Sequence, residues 1–348
     1  MTERNLIKIK ISIPLSDNFW IKYFDCETIE KSVFALTKKL SSNTKFYSET
    51  KTSTLEVKLT DFKNLLENYF LNFKKENKQR RTKALLKLIK TDLNYRLYSF
   101  LEYPIWNGNS RSTQKKQFLA PKKLKNENDF LDFFRRLISQ DNFKDKKVIV
   151  KPNFVSVEEY PETTDKKFLA SIISILKKSE PESLKILEGP SIFYDDSFLG
   201  KIQIGGCFIS NTLNDKNLVR IKDDRKGMSF FIERDILESD FLINIACLKK
   251  HLSADFSASK KNLMGLLPAF ERIKFHKIQK LNLAIDFLAE KLSPTYNIID
   301  ARKVLDKAQM KRLGGQSRKG RGIYFSTDSF ELDKLAIKEN FNEEKTVS

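Results

Sequence analysis

Residues 241–251, FLINIACLKKH, place an apolar run directly before two lysines and a histidine. The run Phe241–Ala246 is short and almost continuously apolar, which is typical of a strand buried on both faces of a sheet. The pattern predicts a strand that brings Lys249, Lys250 and His251 to its carboxyl end.

Four further apolar runs have the same form and alternate with amphipathic segments. They are Val148–Val150, Lys185–Leu187, Tyr296–Ile299 and Ile323–Ser326. The segments at 165–178 and 278–292 place apolar residues three and four positions apart, which is the spacing of one helix face. This alternation of strands and helices favours an α/β fold with a largely parallel or mixed sheet and flanking helices.

The first third of the chain follows a different pattern. Leu6–Ile13 alternates like a half-buried strand, Thr54–Leu59 does so less clearly, and 61–101 is typical of helices. Residues 107–128 are polar and contain Gly, Pro, Ser and Asn, as linkers do. We therefore expect a basic N-terminal α+β extension over 1–125 and an α/β domain over 126–348.

The charge of the chain has two interpretations. The formal net charge is +19, and a basic surface around 74–125 would suit nucleic acid or another acidic partner. However, lysine far outnumbers arginine, as a compositional bias alone would produce, and arginine is the residue preferred for base and phosphate contacts. Both interpretations remain open at this point.

Cellular location is predicted from two features. No run approaches the roughly 20 apolar residues of a membrane helix, so no membrane association is expected. The cysteines Cys26, Cys207 and Cys247 are scattered and odd in number, which predicts no disulfide framework. We expect a cytoplasmic protein of unknown oligomeric state.

Polar residues follow the predicted strands where each one ends. Lys151-Pro152-Asn153 follows the first strand, Glu188 the second, Asp300 the fourth and Asp328 the fifth. In open parallel sheets, ligands bind in the crevice beyond the carboxyl ends of the strands. The pattern predicts a binding crevice that contains these residues: Lys151, Asn153, Glu188, Lys249, Asp300 and Asp328.

The segment 257–268, SASKKNLMGLLP, combines lysine, amide and glycine with an apolar run. A lysine held against an apolar wall loses solvation, so its pKa falls and it can act as a base or nucleophile. We therefore predict catalytic roles for Lys261 and Asn262, an amide that can stabilise an oxyanion, and close backbone approach to the ligand at Gly265. Ser257 or Ser259 would cap a helix that starts here. A capped helix with lysines that extend to solvent is the alternative.

Three further features bear on the chemistry. The chain has only two histidines, His251 and His276, and we predict acid–base catalysis by His251 because imidazole titrates near neutral pH. Cys247, His251 and Asp255 would share a helix face, but the predicted strand argues against that geometry, so no metal site is predicted. In the Gly-rich basic segment 313–322, LGGQSRKGRG, Arg318 is predicted to bind a phosphate or carboxylate.

Five segments resemble, in order, the landmarks of a family catalogued as domain of unknown function 362. They are VIVKPN (148–153), LINIACLKKH (242–251), KKNLMG (260–265), IID (298–300) and STDSFELD (326–333). The resemblance covers about residues 126–340. It implies functional roles at Lys151, Asn153, Lys249, His251, Lys261, Asn262, Gly265, Asp300, Asp328 and Asp333. More faintly, His251 and Lys261 are ten apart, which is similar to a histidine and a lysine of nickel-pincer lactate racemases.

These observations lead to one main functional hypothesis. We expect a cytoplasmic enzyme that binds a small anionic substrate or cofactor at the strand carboxyl ends and transfers a proton with lysine and histidine, in the manner of an isomerase or racemase. One alternative is a protein that binds nucleic acid or an acidic partner through 74–125, with a non-catalytic α/β domain. Another is a redox metal protein. The sequence identifies neither the cofactor nor the substrate.

Overall fold

The computed structural model describes residues 6–12, 45–47, 52–58, 105–106, 118–189, 196–211, 217–224, 226–252, 254–268, 271–272, 275 and 281–342. The chain separates into two compact units, 1–102 and 103–348. In the first unit, β1 (Leu6–Ser12), β2 (Lys45–Tyr47) and β3 (Thr52–Lys58) form an antiparallel sheet in the order β1-β3-β2. The helices predicted over 61–101 lie outside the described residues.

The second unit is built of alternating strands and helices. In chain order they are β4 (Lys122–Leu124), α1 (Glu127–Gln140), β5 (Lys147–Lys151), α2 (Lys166–Lys177), β6 (Ser183–Glu188), β7 (Gln203–Ile204), β8 (Cys207–Asn211), β9 (Leu218–Asp223), β10 (Met228–Glu233), α3 (Arg234–Glu238), β11 (Phe241–His251), β12 (Asp255–Ser257), α4 (Ser259–Asn262), α5 (Leu281–Leu292), β13 (Tyr296–Asp306), β14 (Gln316–Ser326) and α6 (Ser329–Phe341). Short 3-10 helices span Asp196–Lys201, Leu263–Leu266 and Lys311–Leu313.

Among the described residues, nine of these strands form one mixed sheet in the order β4-β14-β13-β11-β5-β6-β8-β7, with β12 paired to β11. The central strands β13, β11, β5, β6 and β8 are parallel. The predicted α/β fold with a mixed sheet is therefore confirmed. Because β14 is antiparallel to β13, its carboxyl end lies at the opposite edge of the sheet.

Hydrophobic layers cover both faces of the sheet. On one face, α1 and α2 pack Phe130, Phe134 and Phe168, all fully buried, against the apolar side chains of β5, β6 and β11. On the other face lie α4, α5 and α6. Burial of apolar surface on both faces explains why the strands have almost continuous apolar sequences rather than alternating ones.

Side-chain caps fix where the main helices begin. Asn126 accepts a hydrogen bond from the N–H of Asp129 at the start of α1, and Asp165 accepts one from the N–H of Lys167 at the start of α2. Asp328 caps α6 through the N–H groups of Phe330 and Glu331. Such caps satisfy N–H groups that have no partner within the helix.

The predicted domain boundary at 125/126 stays a prediction. β4, at Lys122–Leu124, pairs with β14 of the large sheet. Among the described helices, none is long and apolar enough to cross a bilayer.

Candidate functional site

A buried ion pair joins the carboxyl ends of β5 and β6. The Nζ atom of Lys151 lies 2.8 Å from Oε1 of Glu188, and both side chains are 1% exposed. The carboxylate also accepts the N–H groups of Phe154 at 2.6 Å and Gly189 at 2.9 Å, while Lys151 donates to the carbonyl of Pro152 at 2.6 Å. Burial lowers the pKa of Lys151, and the negative charge of Glu188 opposes this shift.

Gly265 follows α4 and lies directly against this ion pair. A Cβ atom at Gly265 would lie 2.3 Å from Oε1 of Glu188 and 2.7 Å from Nζ of Lys151. These distances are far below van der Waals contact, so no larger residue fits without moving the pair. Gly265, predicted to let the backbone approach a ligand closely, therefore lets the backbone approach the protein's own buried ion pair.

A second buried lysine lies at the end of β11. Lys249 is 1% exposed, and its Nζ donates to Oδ1 of Asn153 at 2.7 Å and to the carbonyl of Glu162 at 2.8 Å. Burial lowers the pKa of Lys249. The backbone N–H of Asn153 donates to Oγ1 of Thr164 at 2.7 Å, which holds the turn after β5.

Four buried asparagines continue from Lys249 in a directional series. Nδ2 of Asn153 donates to Oδ1 of Asn262 at 2.7 Å, Nδ2 of Asn262 to Oδ1 of Asn244 at 2.8 Å, and Nδ2 of Asn244 to Oδ1 of Asn297 at 3.0 Å. The lysine ammonium only donates, so it requires the amide oxygen of Asn153 to face it, and each following amide is then oriented in turn.

This amide series defines the environment of Asn262. Its Nδ2 also lies 3.2 Å from the carbonyl oxygens of Pro152 and Ile245, and its Oδ1 lies 3.4 Å from Nζ of Lys151. The side chain is 4% exposed, and its N–H groups point at protein acceptors. In this structure Asn262 accepts from Lys151 and Asn153, whereas the predicted catalytic role would need an N–H directed at a ligand.

The helix α4, which carries Lys261, is capped by a residue distant in sequence. Asp333 of α6 accepts the N–H of Ser259 at 2.8 Å and that of Lys260 at 3.1 Å. The prediction that Ser257 or Ser259 caps this helix is wrong, because the N-cap residue is Ala258 and the hydroxyl of Ser259 donates to Oδ1 of Asn297. Burial raises the pKa of Asp333 to about 7.

Lys261 differs from the other lysines of the site. Its side chain is half-buried, and its Nζ contacts Sδ of Met264 at 3.9 Å. Within the described part of the chain, Lys261 forms no ion pair with a carboxylate. Burial, together with repulsion from Lys249, lowers the pKa of Lys261 to about 8. An amine with this pKa is partly neutral near physiological pH and can accept a proton.

His251 ends β11 two residues beyond Lys249 and is half-buried. Alternate residues of a strand point to the same face, which places His251 on the face of Lys249. Cys247 lies four residues earlier on the same strand, a separation of about 13 Å along an extended chain, and is therefore not adjacent to His251 as it would be on a helix. Across the described residues, no group of three or more metal-ligating side chains is found. His276 lies outside the described residues.

Asp300 belongs to the same edge of the sheet but is held by its own partners. Its carboxylate accepts Nη2 of Arg302 at 2.7 Å and the hydroxyl of Tyr160 at 2.8 Å. Arg302 also contacts Glu127 and Asp165 and thereby joins the starts of α1 and α2 to this edge. Burial and the charge of Asp300 raise the pKa of Tyr160. These contacts indicate that Asp300 holds the edge together.

Two predicted ligand-binding residues lie away from this edge. Asp328 follows the antiparallel strand β14 and caps α6 at the opposite edge, so the expectation that it joins the crevice is wrong. Arg318 pairs with Asp306 through Nε and Oδ2 at 2.9 Å. Most of the Gly-rich basic segment around it is strand, because Gln316–Ser326 forms β14. The predicted nucleic-acid segment 74–125 lies almost entirely outside the described residues.

The sequence model of a protein family matches residues 148–338. Its description is Domain of unknown function (DUF362). The chain belongs to this family. The search of curated proteins finds no match.

The DUF362 chain is also similar to two solved structures. One is a Thermotoga maritima protein, with 15% identity over 62% of this chain and 59% of that chain, and a TM-score of 0.39. The other is the lactate racemase apoprotein from Thermoanaerobacterium thermosaccharolyticum, with 16% identity over 66% of this chain and 60% of that chain, and a TM-score of 0.38. The chain thus spans about three fifths of the length of each.

Several residues of this DUF362 site could not be recognised from the sequence. Asn244 and Asn297 lie inside apolar strands, and the only signal is a polar residue within a buried run. Glu162 is fully buried and accepts the N–H of Lys311 at 2.8 Å. Arg272 donates to the carbonyl of Gly189, and its charge contributes to the low pKa of Lys151. No local pattern distinguishes Glu162 or Arg272 from surface charges.

Proposed function

We propose that this chain is an enzyme that binds a small anionic molecule at the carboxyl edge of the parallel strands and moves a proton with Lys261. The observation that carries the proposal is the environment of Lys261, a half-buried amine with a pKa of about 8 that forms no ion pair with a carboxylate of the described residues. A lysine in this state can act as a general base at neutral pH.

The buried charges beneath Lys261 support an anionic substrate. Lys151 ends β5, and Lys249 lies near the end of the neighbouring strand β11; of these two lysines, within the described residues, only Lys151 forms a salt bridge with a carboxylate, that of Glu188. Lys249 donates instead to an amide and a carbonyl oxygen, so the positive charge of its protonated form is not neutralised by an ion pair. Positive charge in a site of low dielectric attracts anions and stabilises negative charge that develops during a reaction.

We infer the reaction class from these groups. The neutral Lys261 amine would take a proton from the carbon next to a carboxylate, and the electron pair would spread onto the carboxylate oxygens. His251, half-buried at the end of β11, is proposed as the acid that returns a proton. Return to the opposite side of that carbon would give racemisation, and return to a different carbon would give isomerisation.

Deuterium exchange tests the proposal without a known substrate. The full chain is incubated in D2O with lactate, malate, alanine or glutamate, and loss of the Cα–H signal is followed by NMR. We expect exchange for at least one acid, a rate that rises through a midpoint near pH 8, and a loss of at least a hundredfold in Lys261→Met. The control is Lys166→Met, which removes an exposed lysine of α2.

Two outcomes contradict the proposal. One is undiminished exchange in a folded Lys261→Met variant. The other concerns the reaction of lysines with acetic anhydride, measured by mass spectrometry. If the reactivity of Lys261 rose with pH in the same way as that of Lys166, the proposal would be contradicted, because the proposed base must lose its proton at a lower pH than an ordinary lysine.

A further inference from the structure

A basic groove lies beside α6 and shares no lining residue with the buried charge site of Lys151 and Lys249. Two neighbouring cavities of about 820 Å³ and 540 Å³ form it, and they share Arg321, Glu339 and Asn342. We define the basic groove by the cations that line these two cavities: Lys123, Lys250, Arg318, Lys319, Arg321 and Lys338. Lys250 belongs to it because adjacent residues of β11 point to opposite faces, so its side chain points away from Lys249.

The groove has more positive than negative charge. Its described lining contains two carboxylates, and each is already paired. Asp306 binds Nε of Arg318 at 2.9 Å, and Glu339 accepts Nζ of Lys123 at 2.7 Å and the hydroxyl of Tyr324 at 2.8 Å. Among the described residues, the exposed side chains of Lys319 and Arg321 form no salt bridge. The surplus charge is therefore available to an external anion.

Aromatic rings hold two of the cations in place. The ring of Phe341 lies 4.8 Å from the guanidinium carbon of Arg318 and 5.3 Å from Nζ of Lys250. Nζ of Lys250 also lies 4.4 Å from the centroid of Phe256. A cation–π contact orients a cation without neutralising its charge, which lowers the conformational entropy lost when an anion binds.

The backbone of β14 brings these side chains into one row. A register shift between Ala301 and Lys303 marks a bulge in β14, where Gly320 and Arg321 lie opposite the single residue Arg302. A Cβ atom at Gly320 would lie 2.0 Å from the carbonyl oxygen of Ala301, so this position requires glycine for the strands to pair. Bulges turn side chains away from the regular alternation of a strand. The Gly-rich basic segment of the sequence thus forms the wall of the basic groove.

We propose that the basic groove binds a chain of consecutive phosphate groups, which lies across both cavities and contacts Lys319 and Arg321. Two joined cavities with cations in each fit several linked charges better than a single carboxylate. Arginine binds phosphate oxygens through paired N–H donors, and lysine binds them as a point charge. An inorganic polyphosphate and a single-stranded nucleic acid share this chemistry.

Binding measurements with the full chain test the proposal. Inorganic tripolyphosphate and orthophosphate are titrated by calorimetry, and a fluorescent oligothymidylate by polarisation, each over a series of salt concentrations. We expect tripolyphosphate to bind at least tenfold more tightly than orthophosphate. The double variant Lys319→Gln/Arg321→Gln should weaken tripolyphosphate binding at least tenfold and reduce the salt slope by about two.

The matched control removes two positive charges elsewhere. Arg135→Gln/Lys144→Gln changes exposed residues of α1 and of the turn that follows it, and should alter binding less than twofold. Lys261→Met should also bind normally, which separates the basic groove from the proposed catalytic site. Binding of oligothymidylate with the same dependence on Lys319 and Arg321 would identify a nucleic acid as the natural ligand. Binding of tripolyphosphate but not of oligothymidylate would identify a free polyphosphate. Equal losses in the two double variants, or no saturable binding of tripolyphosphate, would overturn the proposal.

Discussion

Replacing Lys151 by Met is expected to lower the free energy of unfolding by about 4 kcal/mol, because it leaves a buried carboxylate without its cation. Glu188 is 1% exposed and, among the described residues, would keep the N–H groups of Phe154 and Gly189 as its hydrogen-bond partners. Met occupies nearly the volume of the lysine stem, so little of the loss should arise from a cavity. A change of about 4 kcal/mol lowers the folding equilibrium constant nearly a thousandfold.

The opposite substitution should be milder. In Glu188→Gln, Lys151 retains the carbonyl of Pro152 and Oδ1 of Asn262, and it can lose its proton because burial already lowers its pKa. We expect a loss of about 1–2 kcal/mol, the range for an altered buried hydrogen bond. The double variant Lys151→Met/Glu188→Gln removes both charges and should be more stable than Lys151→Met by about 2–3 kcal/mol.

Urea unfolding followed by circular dichroism measures these differences, provided that the dependence on urea is unchanged. Lys185→Met is the matched control, since Lys185 forms an ion pair of 2.7 Å with Asp235 while both side chains remain 49% and 42% exposed. An exposed pair contributes at most about 1 kcal/mol. If Lys151→Met destabilised the protein no more than Lys185→Met, the assigned role of burial would be incorrect.

Three further predictions concern the same region. Gly265→Ala should lower the free energy of unfolding by about 2–4 kcal/mol, measured in urea, because the added Cβ would lie 2.3 Å from the Glu188 carboxylate. Lys261→Met should stabilise the protein at pH 7 by up to about 3 kcal/mol, because the native state disfavours the protonated amine; this gain should vanish above about pH 10.5, where the amine is neutral in both states. Asp333→Asn should flatten the pH dependence of stability between about pH 4 and 7, where the native carboxyl retains a proton that the unfolded chain has lost and the wild type loses stability as pH rises. A wild-type stability that rises with pH over that interval and is unchanged by the substitution would contradict the last prediction.

The strands and the helix faces could be predicted because their information is local. The predicted runs Val148–Val150 and Lys185–Leu187 lie inside β5 and β6. Their apolar residues mark a buried strand, and the charged residue with proline or glycine that follows each run marks its end. The same logic underestimated β11 and β13, which continue to His251 and Asp306 beyond the apolar residues. Pairing with neighbouring strands, rather than side-chain polarity, decides where such strands end.

The contacts that define the site could not be predicted from local patterns. Asp333 caps a helix 74 residues earlier in the chain, and Asn262 bonds to Asn153 across 109 residues. The antiparallel direction of β14, which places Asp328 away from the predicted crevice, depends on how the chain turns after β13. Periodicity records which face of an element is buried, and it contains no information on which buried polar groups meet.

The amide series also explains why a site of this kind contains so many residues that a ligand cannot reach. A buried amide without a partner destabilises a protein, and from Asn153 to Asn244 each amide donates to the next; among the described residues, only Nδ2 of Asn297 at the end of the series has no partner. Apolar residues of similar size would fill the same space, but they would not fix the orientation of Asn262 or the position of α4. Because Lys261 lies on that helix, the orientation of the amides sets the position of the amine to which we assign proton transfer, and this proposed chemistry depends on a polar core that takes no direct part in it.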